Sequence, residues 1–224
     1  MICEAEIAAA LRGLFEGPVA VAVTRPAAPQ PPLMPGEAAH LARARPVRLA
    51  EFTAGRSAAR QAMQALGLPP QPVFTAPDRA PIWPAGLVGS ISHCADCCVA
   101  VLAHARDYAA IGVDIEDDSP LPDDLVAEVC TPSERARMAQ PQASAKRIFC
   151  AKEAAYKAQY PLTKTLFGFE RFEVQFTTRH AFEARFTQAT KGFRRGDYLP
   201  GRIASVTGHL VTGVAIGQIA AKGA

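Results

Sequence analysis

The chain has 224 residues, 49% of them hydrophobic, and a formal net charge of +3. That length allows one large domain or two of about 110 residues each, with apolar material for a real core. The charge is too small to argue for nucleic acid, and no apolar run reaches the length of a membrane span.

No positive stretch followed by an apolar one stands at the N-terminus, so no signal peptide is read there. The cysteines (Cys3, Cys94, Cys97, Cys98, Cys130 and Cys150) are too few and too irregular for a disulfide framework, which makes a reducing cytoplasm the expected location. Arg far outnumbers Lys. This suits bidentate contacts to phosphate or carboxylate, and a high-GC coding bias produces it equally well.

Residues 5–15 predict a short helix and residues 19–23 a strand, followed by a stiff Pro-rich loop over residues 25–32. Residues 33–45 are compatible with a helix entered through Pro35 and Gly36. Residues 51–66 predict a stronger helix, stopped by Gly67 with Pro69 and Pro70 beyond. Arg56 and Arg60 lie four apart on one face of it, with Arg48 just upstream. A solvated helix face explains this basic cluster as readily as a binding site does.

Residues 69–84 read as a Pro-rich linker that carries the single tryptophan, Trp83. Residues 87–93 and 97–103 predict two adjacent antiparallel strands, with Ser90, Ser92 and His93 near their turn. His93-Cys94 with Cys97-Cys98 looks like half of a zinc site. No second pair with ligand spacing follows, and the run Cys-Cys-Val-Ala-Val-Leu-Ala reads as a buried strand instead.

Ile111-Gly112-Val113-Asp114-Ile115-Glu116 predicts a short buried strand. Alternation sends Asp114 and Glu116 to one side and Val113 and Ile115 to the other. Two unpaired carboxylates on one side of an apolar strand repel each other and lose hydration, so they call for a cation. Oxygen ligands suit a hard ion such as Mg²⁺. An edge strand with a solvated acidic face is the competing reading, and Asp117 and Asp118 favour it slightly.

An acidic loop over residues 117–124 leads to a helix over 125–129, then to Thr131-Pro132-Ser133-Glu134, a capping box with a structural role. Residues 144–160, ended by Pro161, form the best predicted helix. Phe149, Glu153, Tyr156 and Lys157 share one face at spacings of three and four, and Lys152 borders it. Charges forced onto an aromatic stripe point to a site. Residues 169–176, 182–187, 198–206 and 209–217 predict an antiparallel meander, and residues 220–224 a frayed end.

Three segments belong together: Gly89-Ser90-Ile91-Ser92-His93, Gly112-Val113-Asp114-Ile115-Glu116, and Phe149-Cys150-Ala151-Lys152-Glu153-Ala154-Ala155-Tyr156-Lys157. In order and spacing the set resembles the signature of the 4′-phosphopantetheinyl transferase superfamily. Phe149 stands where many members carry Trp. Phe52-Thr53-Ala54-Gly55-Arg56 through Arg60-Gln61-Ala62, with Pro81-Ile82-Trp83-Pro84, resembles the subgroup of enterobactin synthetase component D.

The resemblance implies an α+β fold, a pseudo-twofold monomer of two similar halves over residues 1–110 and 111–224, with coenzyme A between them. The implied reaction moves the phosphopantetheine arm of coenzyme A to a serine of an apo carrier protein and releases adenosine 3′,5′-bisphosphate. Mg²⁺, for which Mn²⁺ can substitute, is then held by Asp114, Glu116 and Glu153. Glu153 is the implied base and Lys157 the stabiliser of phosphate charge. Ser92, His93 and Lys152 are implied contacts to coenzyme A phosphates, with Arg56 and Arg48 or Arg60 near the 3′-phosphate. An Mg²⁺-dependent hydrolase using the same carboxylates, and a module that only binds coenzyme A or a carrier protein, are the alternatives.

Overall fold

The computed structural model describes residues 3–41 and 43–217; the fraying expected at residues 220–224 lies outside them. The architecture is α+β, as expected. Helix α1 (Glu4–Arg12) leads to strand β1 (Ala20–Thr24), and α2 (Pro46–Ala65) packs on a three-stranded antiparallel sheet. The order of that sheet is β1-β5-β4, with β4 at Leu87–His93 and β5 at Cys98–His104.

Strand β6 (Tyr108–Asp117) opens the second sheet. Two short helices follow, α3 (Asp123–Val129) and α4 (Pro132–Ala136), and then the long α5 (Pro141–Thr163). A meander of β7 (Phe172–Phe176), β8 (Ala181–Phe186), β9 (Tyr198–Val206) and β10 (His209–Gly217) completes a five-stranded sheet, in the order β6-β10-β9-β8-β7. Each of the two larger antiparallel sheets, of three and five strands, thus carries one long helix. The expected boundary between residues 110 and 111 falls inside β6.

Three sequence readings change. Residues 33–41 form turns rather than a helix, with Gly36 at φ +87°. The reason is Glu37, which is fully buried and accepts from Met34 N, Val73 N and Arg60 Nη1 at 2.7, 2.9 and 2.8 Å. One carboxylate thus organises loop, linker and α2 together. The linker itself contains a small hairpin, β2 (Phe74–Thr75) paired with β3 (Pro81–Ile82). In addition, α5 runs through Pro161 and ends at Thr163, with Lys164 in the left-handed region at φ 53°.

The active region depends on how closely α5 lies on β6. Ala151, Ala154, Ala155 and Ala158 are fully buried and present only methyl groups to the strand. At Gly112 a Cβ would collide with Ala154 O, so only glycine allows this approach. Alternation along β6 buries Val113 and Ile115 in a core shared with Ile7, Leu11, Val99 and Val211. That core includes residues from both halves. By ladder pairing β6 is an edge strand, yet its open side lies against β4, where Val113 N donates to Ser90 Oγ at 3.0 Å.

Candidate active site

A cleft of about 480 Å³ opens where β4, β6, α2 and α5 meet. This is within the usual size of a small-molecule site. Arg48, Arg56, Ser92, His93, Asp114, Glu116, Phe149, Glu153, Tyr156 and Lys157 all line it. The structure therefore brings together most of the residues expected from sequence, with the carboxylates on β6 and α5 and the two arginines on α2.

Asp114 is 3% exposed. Its Oδ1 accepts from Ser92 Oγ and from Lys157 Nζ, both at 2.7 Å, and Lys157 Nζ also reaches Ser92 Oγ at 2.9 Å. Its Oδ2 is buried and has no hydrogen-bond partner. Glu116 pairs with Lys146 at 2.7 Å. The two carboxylates are thus not unpaired, as the strand pattern suggested: cations from α5 neutralise one oxygen of each. Glu153 Oε2 lies 4.0 Å from Lys157 Nζ.

Burial raises the carboxyl of Glu116, and Asp114 adds to this against the Lys146 bond. Burial also raises Glu153, with Asp114 and Glu116 adding and Lys157 opposing. For Lys157 burial works against the ammonium, but Asp114 and Glu153 outweigh it and the pKa is raised. Clustered carboxylates whose charges repel, with one orphaned oxygen among them, fit a hard divalent cation.

The basic side is built differently. Arg48 Nη1 lies 2.8 Å from His93 Nε2. A guanidinium only donates, so this bond makes Nε2 the acceptor and leaves the imidazole proton on Nδ1. Burial lowers the pKa of His93, helped by Arg48 and Lys157 against Glu51. Arg56 stacks on Phe52 with its guanidinium carbon 4.2 Å from the ring centre, and donates to Thr75 Oγ1 at 2.9 Å. Burial lowers it to about 10, with Arg48 and Arg60 adding and Glu37 opposing. Its Nε is buried without a partner.

Two expected residues are not at the cleft. Lys152 is 1% exposed, and its ammonium donates to Val129 O, Glu134 Oε2 and Phe169 O at 2.8, 2.8 and 3.0 Å. An ammonium has three protons, so none remains for a phosphate. Glu134 is the capping-box residue of α4: it accepts from Thr131 N at 2.7 Å and from Val174 N at 2.6 Å. Arg60 is also buried, committed to Glu37 at 2.8 Å and lying behind the cleft lining.

Sequence reasoning missed Lys146, Glu51, Asp78 and Lys164. Lys146 stands seven residues before Glu153, so its helical face was readable. Glu51 also lines the cleft, 3.3 Å from Arg48 and 3.8 Å from His93. Asp78 and Lys164 are rim residues that only the tertiary fold supplies; Tyr160 Oη donates to Asp78 Oδ2 at 2.6 Å.

Residues 36–103 match the 4′-phosphopantetheinyl transferase N-terminal domain, and residues 110–203 match the 4′-phosphopantetheinyl transferase superfamily. The chain is 42% identical over 193 residues to 4′-phosphopantetheinyl transferase Svp of Streptomyces mobaraensis, covering 82% of this chain and 78% of that protein. It is 39% identical over 149 residues to 4′-phosphopantetheinyl transferase PptT of Mycobacterium tuberculosis, covering 65% and 66%. With enterobactin synthase component D of Salmonella typhi it shares 32% identity over 180 residues, covering 71% and 73%. The chain belongs to the 4′-phosphopantetheinyl transferase superfamily and is an enzyme of that family.

Proposed function

We propose that this enzyme transfers the 4′-phosphopantetheine arm of coenzyme A to a serine of an apo carrier protein, with Mg²⁺, and releases adenosine 3′,5′-bisphosphate. One observation carries the reading. Among the described residues three buried side-chain polar atoms lack a hydrogen-bond partner, and two of them, Asp114 Oδ2 and Arg56 Nε, belong to residues that line this one cleft. An orphaned acceptor asks for a cation and an orphaned donor asks for an anion. A nucleotide pyrophosphate with its divalent ion satisfies both.

Asp114, Glu116 and Glu153 would hold the ion. When bound it neutralises charge on the pyrophosphate oxygens. The serine oxygen forms a bond to the phosphorus that carries the pantetheine arm. The bridging P–O bond breaks, and its electron pair leaves on adenosine 3′,5′-bisphosphate. Glu153 takes the serine proton, a role to which its raised pKa is suited because a base works best near the operating pH. Lys157, fixed by Asp114, meets the growing charge on the phosphate oxygens. Arg48, Arg56, Ser92 and His93 hold the remaining phosphates, Arg56 through its fork of donors. Lys152 and Arg60 are left as structural groups.

Incubation with labelled coenzyme A, Mg²⁺ and a panel of apo carrier proteins tests the reading. The expected product is a carrier protein heavier by one phosphopantetheine on serine. Free phosphopantetheine formed without any acceptor would show a hydrolase and overturn the proposal.

A further inference from the structure

Outside the cleft, four side chains of metal-binding type converge. The Sγ of Cys94, one carboxylate oxygen each of Asp96 and Asp117, and a ring nitrogen of His209 all lie within 4.8 Å of one another. None of the four lines the cleft. We propose that they form a second metal site, which takes a divalent transition-metal ion of the zinc class and joins the two sheets across their seam.

The ligands come as two prearranged pairs. Asp117 and His209 are direct cross-strand partners in the β6/β10 ladder. Cys94 and Asp96 stand two apart in the turn between β4 and β5, which is closed by Cys94 N donating to Cys97 O at 2.9 Å. Asp96 Oδ1 is 3.2 Å from Cys94 Sγ and 3.1 Å from His209 Nε2, and Asp117 Oδ1 is 4.0 Å from the same nitrogen. Tetrahedral zinc, with bonds of about 2.3 Å to sulfur and 2.0–2.2 Å to nitrogen and oxygen, sets its ligand atoms about 3.3–3.7 Å apart. Asp117 has to close in, and its side chain is exposed.

His209 carries a further sign. Its Nδ1 lies 3.0 Å from Thr207 O, and a ring N–H given to a backbone carbonyl leaves Nε2 to face the ion. Cys94 and His209 are buried while both aspartates are exposed, so the site has a closed floor and an open path to solvent. Thiol and imidazole favour zinc over magnesium, whereas the all-carboxylate set at Asp114 does the reverse. Binding displaces the thiol proton of Cys94, and Nε2 of His209 exchanges its contact with Asp96 for the ion. The half-site pattern at Cys94 is therefore completed through Asp117 and His209, far along the chain. Cys97 and Cys98, both fully buried, take no part.

The test uses full-length metal-free protein with Mg²⁺ in excess, so that the cleft carboxylates are occupied. Cobalt(II) is the spectroscopic probe, and zinc affinity is read by competition with a chromophoric chelator. The expected result is one equivalent of cobalt with a thiolate-to-metal charge-transfer band, and zinc affinity at least about tenfold weaker in Cys94→Ser and Asp117→Asn. Asp117 is exposed, so that variant keeps the test sound if the buried cysteine variant folds poorly. Glu153→Gln should leave zinc affinity unchanged. Absence of the charge-transfer band overturns the proposal. So does zinc binding that survives Asp117→Asn unchanged but is lost in Glu153→Gln, since the ion would then sit in the cleft.

Discussion

Lys157 Nζ lies 2.7 Å from Asp114 Oδ1 while the other oxygen of the same carboxylate has no hydrogen-bond partner. Half of Asp114 is committed to the fold and half is left for a ligand. This makes its removal different from that of Glu116. Asp114→Ala strands the Lys157 ammonium and the Ser92 hydroxyl, and should cost about 1–3 kcal/mol in the metal-free protein. Burial raises Glu116, so Glu116→Ala removes a desolvated charge, which offsets the loss of its bond to Lys146, and the net cost should be smaller than for Asp114→Ala. Both should abolish transfer. Denaturant melts in chelator, beside transfer assays in Mg²⁺, check the contrast; equal destabilisation by the two variants would contradict it.

Glu153 is assigned two duties, and Glu153→Gln separates them. The amide keeps the length and one oxygen but has negligible basicity. If the duty as base dominates, single-turnover transfer should stay about 10²- to 10⁴-fold slow at saturating Mg²⁺. Recovery to near the wild-type rate as Mg²⁺ rises would show a ligand only.

The arginines divide in the same way. Arg56→Ala should weaken binding of coenzyme A more than of dephospho-coenzyme A, by about 1.5–3 kcal/mol, the usual value of a charged hydrogen bond. Arg60→Ala leaves Glu37 buried without its cation and should cost about 3–5 kcal/mol of stability, with no change in the preference between the two nucleotides. Lys152→Ala should behave like Arg60→Ala, because it strands Glu134. Calorimetric titrations with both nucleotides, together with thermal melts, read both effects. A loss of nucleotide preference in Arg60→Ala would return that residue to the site.

His93 predicts a proton linkage. Burial, Arg48 and Lys157 hold its pKa below the ordinary value in the free protein. A phosphate beside it raises that pKa, so between the free and bound values binding takes up a proton. Coenzyme A affinity should therefore strengthen as pH falls from neutral toward the free value, and more so than in His93→Asn. The comparison removes the titration of the ligand's own phosphate. Calorimetry in buffers of different ionisation enthalpy measures the uptake directly; equal uptake in wild type and variant would remove His93 from the phosphate contacts.

What could be read from sequence followed from local periodicity. Asp114 and Glu116 alternate on a strand and Glu153 and Lys157 repeat on a helix, so their faces were fixed before any tertiary contact was known. Lys152 only borders the face of Glu153, since one step on a helix turns the side chain by about 100°, and the contact that the resemblance implies for it goes instead to Glu134 and two carbonyls. Its partner Glu134 showed its capping role in sequence, but not that its carboxylate would be buried and also take Lys152. Glu37 gave no signal at all. A glutamate in a loop is ordinarily solvated, and only the meeting of three separate segments turned it into a buried hub.

Helix α1 packs against β1 from one half and against β9 and β10 from the other. Arg202 reaches Glu16 across 186 residues, and Phe15 fills the space above Gly213. Contacts of that sequence separation are slow to form, because the loop entropy is lost before the contact is gained. During synthesis Ile7 and Leu11 can pack on β1 and β5, but their cover is incomplete until β10 has been made. The shared core then closes as a late step, and until it does the strand bearing Asp114 and Glu116 has only one of its two neighbouring layers. Catalytic competence should thus appear last in refolding, after most of the helical signal has returned.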